Sequence, residues 1–268
     1  MPDNAYAIAT PARPAPAAVR IWTEARTMVS RSLRLSLRNV DSLMTAFVLP
    51  ILLMLMFVYL FGGAIHTGGR YVDYVVPGVL VVCVGFGAAT TAVSVSQDLT
   101  TGIIDRFRSL DVRGETLING HVVASVLRNL LSSALVFAVA LAIGFRPHGA
   151  PGNWLAAIAI LALYVLALSW FAAAIGIVVR SPEAAQGITF LVSFLPYPSS
   201  AFVPVHTMPS WLRGFAANQP ATAVADSVRA LLNGAPPGPS EWHAILWSLG
   251  LIVVSVALAG GLYRRRAG

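Results

Sequence analysis

Apolar positions in this chain fall in long unbroken runs, not in the alternating or three-four spacing of a soluble core. Six runs reach the roughly 20 residues that a helix needs to cross a bilayer core. They cover about 43–62, 74–96, 119–145, 154–179, 184–203 and 242–262. Pro50 and Pro77 fall inside two of them, as membrane helices tolerate when neighbours satisfy the freed backbone groups. Pro196, Pro198 and Pro204 crowd the end of the fifth. The pattern predicts an all-α integral membrane protein with six transmembrane helices.

Two shorter stretches carry helical periodicity with a polar side. In residues 20–40, Arg20, Arg31, Arg34 and Arg38 share one face at 100° per residue, opposite Trp22, Val29, Leu33 and Val40. This is an amphipathic helix lying at the membrane interface, its arginines near anionic headgroups. The second stretch, "DLTTGIIDRFRSLDVRGE" at 98–115, is the most polar part of the chain. There Ile103, Ile104, Phe107 and Leu110 form an apolar stripe, Gly102 is an acceptable N-cap, and Asp105 suits the helix dipole in the first turn. Asp105 also pairs at three residues with Arg108, beside Arg106. Residues 102–110 therefore form a short helix, either a docking knob for a partner or a solvated loop.

Composition sharpens the class. The 268 residues are 57% hydrophobic and 11% charged, against about 25% charged in soluble domains. The net charge of +7 is spread beside span ends and does not form an aromatic-laced patch, which argues against nucleic acid. With both termini cytoplasmic, the inner side holds Arg13, Arg20, Arg26, Arg31, Arg34, Arg38, Arg106, Arg108, Arg113, Arg180, Arg264, Arg265 and Arg266. The outer side holds only Arg70, Arg146, Arg213 and Arg229, so the positive-inside rule sets that orientation. Residues 1–19, rich in Ala and Pro, read as a disordered cytoplasmic tail ahead of a membrane domain at 20–268.

Chemical motifs are scarce. Every basic residue is arginine, and without lysine there is no Walker A loop and no Schiff base. The lone Cys83 leaves no intramolecular disulfide, and the five histidines have no metal-ligand spacing. No catalytic residue and no metal site is expected. One cation enters a span: Arg128, beside Asn129, lies about 13 Å deep at 1.5 Å per residue. It either faces the bundle interior as a pathway residue or snorkels to the headgroups, and the snorkelling arrangement is preferred.

The segment "DLTTGIIDRFRSL" resembles the cytoplasmic signature of ABC-transporter permeases of the drug and polysaccharide export class, the daunorubicin-resistance type in particular. A second segment, "SSAFVPVHTMPSWLRGFAANQPATAVADSVRALLNG" at 199–234, resembles that family's outer segment through Phe202, Pro204, Met208, Pro209, Trp211, Asn218, Pro220 and Arg229. Asp111 stands where the family commonly has proline, so the end of the 102–110 helix differs from the usual pattern. The resemblance implies a permease paired with a second, identical or homologous permease. It also implies two separate ATP-binding cassette subunits docked on 102–110, which alone carry ATP and Mg. In this picture 204–233 dips back into the membrane as short re-entrant helices, and the protein sits in a bacterial plasma membrane. The apolar spans suit a hydrophobic drug-like or lipid-like substrate, with a cell-surface glycan as the alternative. A non-transporting scaffold or sensor that recruits a cytoplasmic partner is the rival of another class.

Overall fold

The computed structural model describes residues 40–65, 67–101, 114–236 and 238–267, and every regular element among them is helical. The helices are α1 (Val40–Met56), α2 (Tyr71–Thr100), α3 (Gly114–Ala142), α4 (Pro151–Val178), α5 (Pro182–Ser193), α6 (Ser210–Ala217), α7 (Pro220–Leu232) and α8 (Pro239–Ala267). A π-helical turn, Phe57–Phe61, ends α1, and a 3-10 turn, Val205–Thr207, precedes α6. The tail at 1–19, the interfacial helix up to residue 39 and the charged stretch 102–110 lie outside the described residues.

Local chemistry sets the helix ends. Pro151, Pro182, Pro220 and Pro239 open four helices, where the missing N–H has no intrahelical partner to lose. Ser181 caps α5 by accepting from the Ala184 amide at 3.2 Å. At the far ends of α3 and α7, Gly144 (φ 100°) and Gly234 (φ 76°) take the left-handed conformation. The next amides, Phe145 and Ala235, then reach back to the Ala140 and Ala230 carbonyls at 2.9 Å each.

Among the described residues, four helical stretches are long and apolar enough to cross a membrane: Tyr71–Thr100, Ile118–Ala142, Pro151–Val178 and Pro239–Leu262. They match the second, third, fourth and sixth apolar runs. The first run becomes α1 and its π-helical turn, whose described apolar part, Val48–Phe61, falls short of spanning length. The fifth run departs from expectation. Its helix stops at Ser193 after 12 residues, roughly 18 Å at 1.5 Å per residue, and residues 194–202 continue as turns. The cause is local, since Pro196 and Pro198 lack the N–H that further helix requires. Phe194, Leu195 and Tyr197 instead donate three residues back, to Leu191, Val192 and Phe194.

Helix α2 is the central post. It packs against α1, α3, α4, α5 and α7, and 72% of its apolar stretch is buried, against 17% for α8. Small residues permit the closest approaches, as expected where lipid is as apolar as the helix surface. A Cβ on Gly78 would lie 2.1 Å from the Ala201 carbonyl oxygen, and one on Gly176 would lie 2.5 Å from that of Ala92. One end of the bundle is tied where Arg70 Nη2 donates to the Gly144 carbonyl (2.6 Å) and the His148 and Gly149 amides donate to Leu232 (3.0 Å each). At the other end a separate apolar cluster joins Val95 of α2, Ile118 and Val122 of α3, Ile177 of α4 and Ala259 of α8.

Candidate functional site

Helix α3 buries a polar stripe and exposes large apolar side chains. His121, Ser125, Arg128, Asn129, Ser132 and Ser133 are all buried and recur at intervals of three and four, one stripe of a helix. Val123, Leu127, Leu131 and Leu135 are exposed on the other side. A soluble helix has the reverse polarity.

The stripe meets its partners on α2 and α4. Arg128 Nη2 donates to Thr91 Oγ1 at 3.1 Å and points at the Gly87 carbonyl at 3.5 Å. Its side chain is therefore packed between α2 and α3, which corrects the preference for snorkelling. The physical reason is Gly87: with no Cβ there, the α2 backbone is open to α3, and a Cβ would sit 1.7 Å from Asn129 Oδ1. Asn129 Nδ2 donates to the Ser125 carbonyl (3.0 Å) and hydroxyl (3.3 Å), and Ser169 of α4 donates to Ser125 Oγ at 2.9 Å. Nearer the other end, His121 Nε2 lies 2.9 Å from Asp98 Oδ2 in a buried pair. The composition of the spans had not pointed to this pair, although the three-four spacing of polar residues on α3 was present in the sequence.

A second polar cluster ties down the turns after α5. Arg229 of α7 donates through Nε to the Tyr74 carbonyl (2.9 Å) and through Nη2 to the Ser200 carbonyl (2.7 Å), and its Nη1 pairs with Asp226. The guanidinium carbon lies 3.9 Å from the centre of the Tyr74 ring. The Tyr74 and Tyr71 hydroxyls donate to the Ser200 and Phe202 carbonyls at 2.9 Å each. Phe202 is buried and stacks on Phe57 with ring centres 4.3 Å apart. Tertiary side chains thus satisfy carbonyls that a helix would have satisfied internally.

The other residues singled out in 199–234 serve the chain locally. Pro204 and Pro209 precede the 3-10 turn and α6, and Pro220 opens α7. The Met208 carbonyl accepts from Arg213 Nε at 2.6 Å, and Asn218 Nδ2 donates to the Gly214 carbonyl at 2.8 Å. Trp211 is 79% exposed and joins neither cluster. Gly102, Ile103, Ile104, Asp105, Arg106, Phe107, Arg108 and Leu110 lie outside the described residues. Among the described residues no group of three or more His, Cys, Asp or Glu side chains is arranged to hold a metal.

Apolar helices of spanning length around a buried polar stripe define the class, an integral membrane helix bundle. Residues 23–233 match the ABC-2 type transporter family, and the chain belongs to it. It is 31% identical over 220 residues to the daunorubicin resistance ABC transporter permease of Streptomyces coeruleorubidus, covering 81% of this chain and 78% of that one. It is also 23% identical over 233 residues to a probable doxorubicin resistance ABC transporter permease of Mycobacterium tuberculosis, covering 85% of this chain and 83% of that one. The resemblance drawn from the two sequence segments, to ABC permeases of the drug-resistance type, thus holds across most of the chain.

Proposed function

We propose that this chain is the membrane subunit of an ATP-driven exporter that moves a hydrophobic, drug-like molecule out of the cytoplasm or inner leaflet. The observation that carries this is the family match over 23–233. The buried stripe of α3 supports it, because it holds Arg128, and ionisable side chains facing the interior of a membrane bundle mark substrate and ion paths. The chain makes six passes with both termini cytoplasmic, counting α1 with its π-helical turn and α5 with the turns after it. Helices α6 and α7 form the outer re-entrant segment. Arg128 and Asn129 line the path. Energy comes from two ATP-binding subunits, each docking on 102–110 of one permease, and the permease pairs with a second copy or a homologue.

The relatives' drugs supply the probe. The permease, copurified with its ATP-binding subunit and reconstituted, should accumulate daunorubicin in inside-out vesicles only when ATP is present. In the same complex Phe107→Ala removes an aromatic anchor from the docking helix. Loss of such an anchor often costs about 2 kcal/mol or more, so ATPase binding should weaken at least tenfold while membrane insertion persists. ATP-independent drug movement, or a Phe107→Ala variant that binds and exports normally, contradicts the proposal.

A further inference from the structure

The charged stretch 102–113 leaves α2 and returns to α3, so the joints at its two ends govern what any force on it does. Those joints are bridged. Asp98 lies in the last turn of α2 and His121 lies two turns into α3, and their side chains meet at 2.9 Å. Both are nearly out of solvent, with 11% and 7% of the side chains accessible. A buried polar contact of this kind is strong because water does not compete for it.

The surroundings make the bridge mechanical. The pair adjoins the smaller apolar cluster of Val95, Ile118, Val122, Ile177 and Ala259, which is distinct from the main core. A Cβ at Gly176 would lie 2.5 Å from the Ala92 carbonyl and 2.9 Å from Val95 Cβ, so α4 is seated tightly against the same part of α2. This end of the bundle is therefore one packed unit, and the Asp98–His121 contact is a polar bond between the two helices that flank the stretch.

We propose that Asp98 and His121 form a transmission clasp, which makes α2 and α3 move together when a partner pushes on 102–110. Without it the push splays the two helix ends and is lost before it reaches Thr91, Arg128 and Asn129 deeper in the bundle. The inference rests on the exporter reading above and adds to it two positioning residues that touch neither nucleotide nor substrate.

The test uses the complete permease–ATPase complex in vesicles, with daunorubicin as the probe. Three quantities are read: ATPase subunit retained, ATP hydrolysed, and drug moved per ATP. Asp98→Ala and His121→Ala should each retain the ATPase subunit and hydrolyse within threefold of wild type, while drug moved per ATP falls at least tenfold. The exchanged pair, Asp98→His with His121→Asp, should recover at least half of the wild-type ratio. A purely structural role lowers the yield of complex and leaves drug per ATP unchanged, and that result overturns the clasp. If the single variants do not fold, the exchanged pair decides, and a folded exchanged pair that stays uncoupled also overturns it. If the wild-type complex moves no drug, or Phe107→Ala leaves ATPase binding intact, the underlying reading fails and takes the clasp with it. The first three outcomes leave that reading standing.

Discussion

Replacing Arg229 with Met keeps the length of the side chain and deletes the guanidinium's own polar contacts to α2, Asp226 and the turns after α5. The guanidinium makes charged hydrogen bonds to the Tyr74 and Ser200 carbonyls and pairs with Asp226; such bonds contribute about 1.5–3 kcal/mol each. Its seat over the Tyr74 ring adds about 0.5–2 kcal/mol. These do not simply add. The Asp226 side chain is 38% accessible and is rehydrated, and the Ser200 carbonyl keeps the Tyr74 hydroxyl as a donor. A net loss of about 3 kcal/mol is left, the worth of one or two charged hydrogen bonds. At about 1.4 kcal/mol per decade, local opening becomes about a hundredfold easier. Hydrogen exchange reads this directly at the Ser200 and Ala201 amides, which bond to Thr222 Oγ1 (3.2 Å) and Ser199 Oγ (3.0 Å). Arg229→Lys should fall between, because an ammonium cannot span three acceptors as the planar fork does. Exchange at these amides within threefold of wild type in the Met variant refutes the assignment of Arg229 as the tie.

Three further outcomes follow from the packing and the charge pattern. Gly78→Ala puts a methyl 2.1 Å from the Ala201 carbonyl oxygen and 2.6 Å from its Cα. Since backbone cannot rotate away, it should cost about 1–3 kcal/mol and cut the monodisperse yield in detergent, while Gly250→Ala, with nothing within 4 Å, should not. Arg128→Leu should insert, because the charge it removes is costly inside a span; daunorubicin export should fall at least tenfold, and export at wild-type rate removes Arg128 from the path. In a Cys83→Ala background, an impermeant thiol reagent should reach new cysteines beside Arg146 or Arg213 from outside. It should reach those beside Asp105 or Arg265 only after permeabilisation, and labelling near Asp105 in intact cells overturns the proposed orientation.

How much of this was legible in the sequence depended on whether the information was local. Long apolar runs located α2, α3, α4 and α8 to within a few residues, since hydropathy alone determines whether a helix can lie in lipid. The fifth run stops being helix at Ser193, and its apolar content hides the backbone chemistry of Pro196 and Pro198 that ends it. Arg128 was placed in the correct helix with the wrong surroundings. Its burial depends on Gly87 and Thr91 of a neighbouring helix, and no property of residues near Arg128 in sequence reveals them. The Asp98–His121 pair was invisible for the same reason. Arg229 was marked out by the family-like segment, but its acceptors lie on α2 and in the turns after α5.

The turns between α5 and the 3-10 segment also constrain how the chain is made. Synthesis is directional, so when residues 196–202 leave the ribosome, Tyr71 and Tyr74 already exist but Thr222, Asp226 and Arg229 do not. At about 5–20 residues per second, the stretch up to Arg229 takes a few seconds to appear. Through that interval the Ser200 amide and side chain lack their α7 partners, and a 12-residue helix followed by turns is a poor substrate for independent insertion. The segment from α5 through the turns is therefore completed by α7, and a nascent chain arrested before Arg229 should expose this segment to the insertion machinery or to proteases long after the earlier helices have settled.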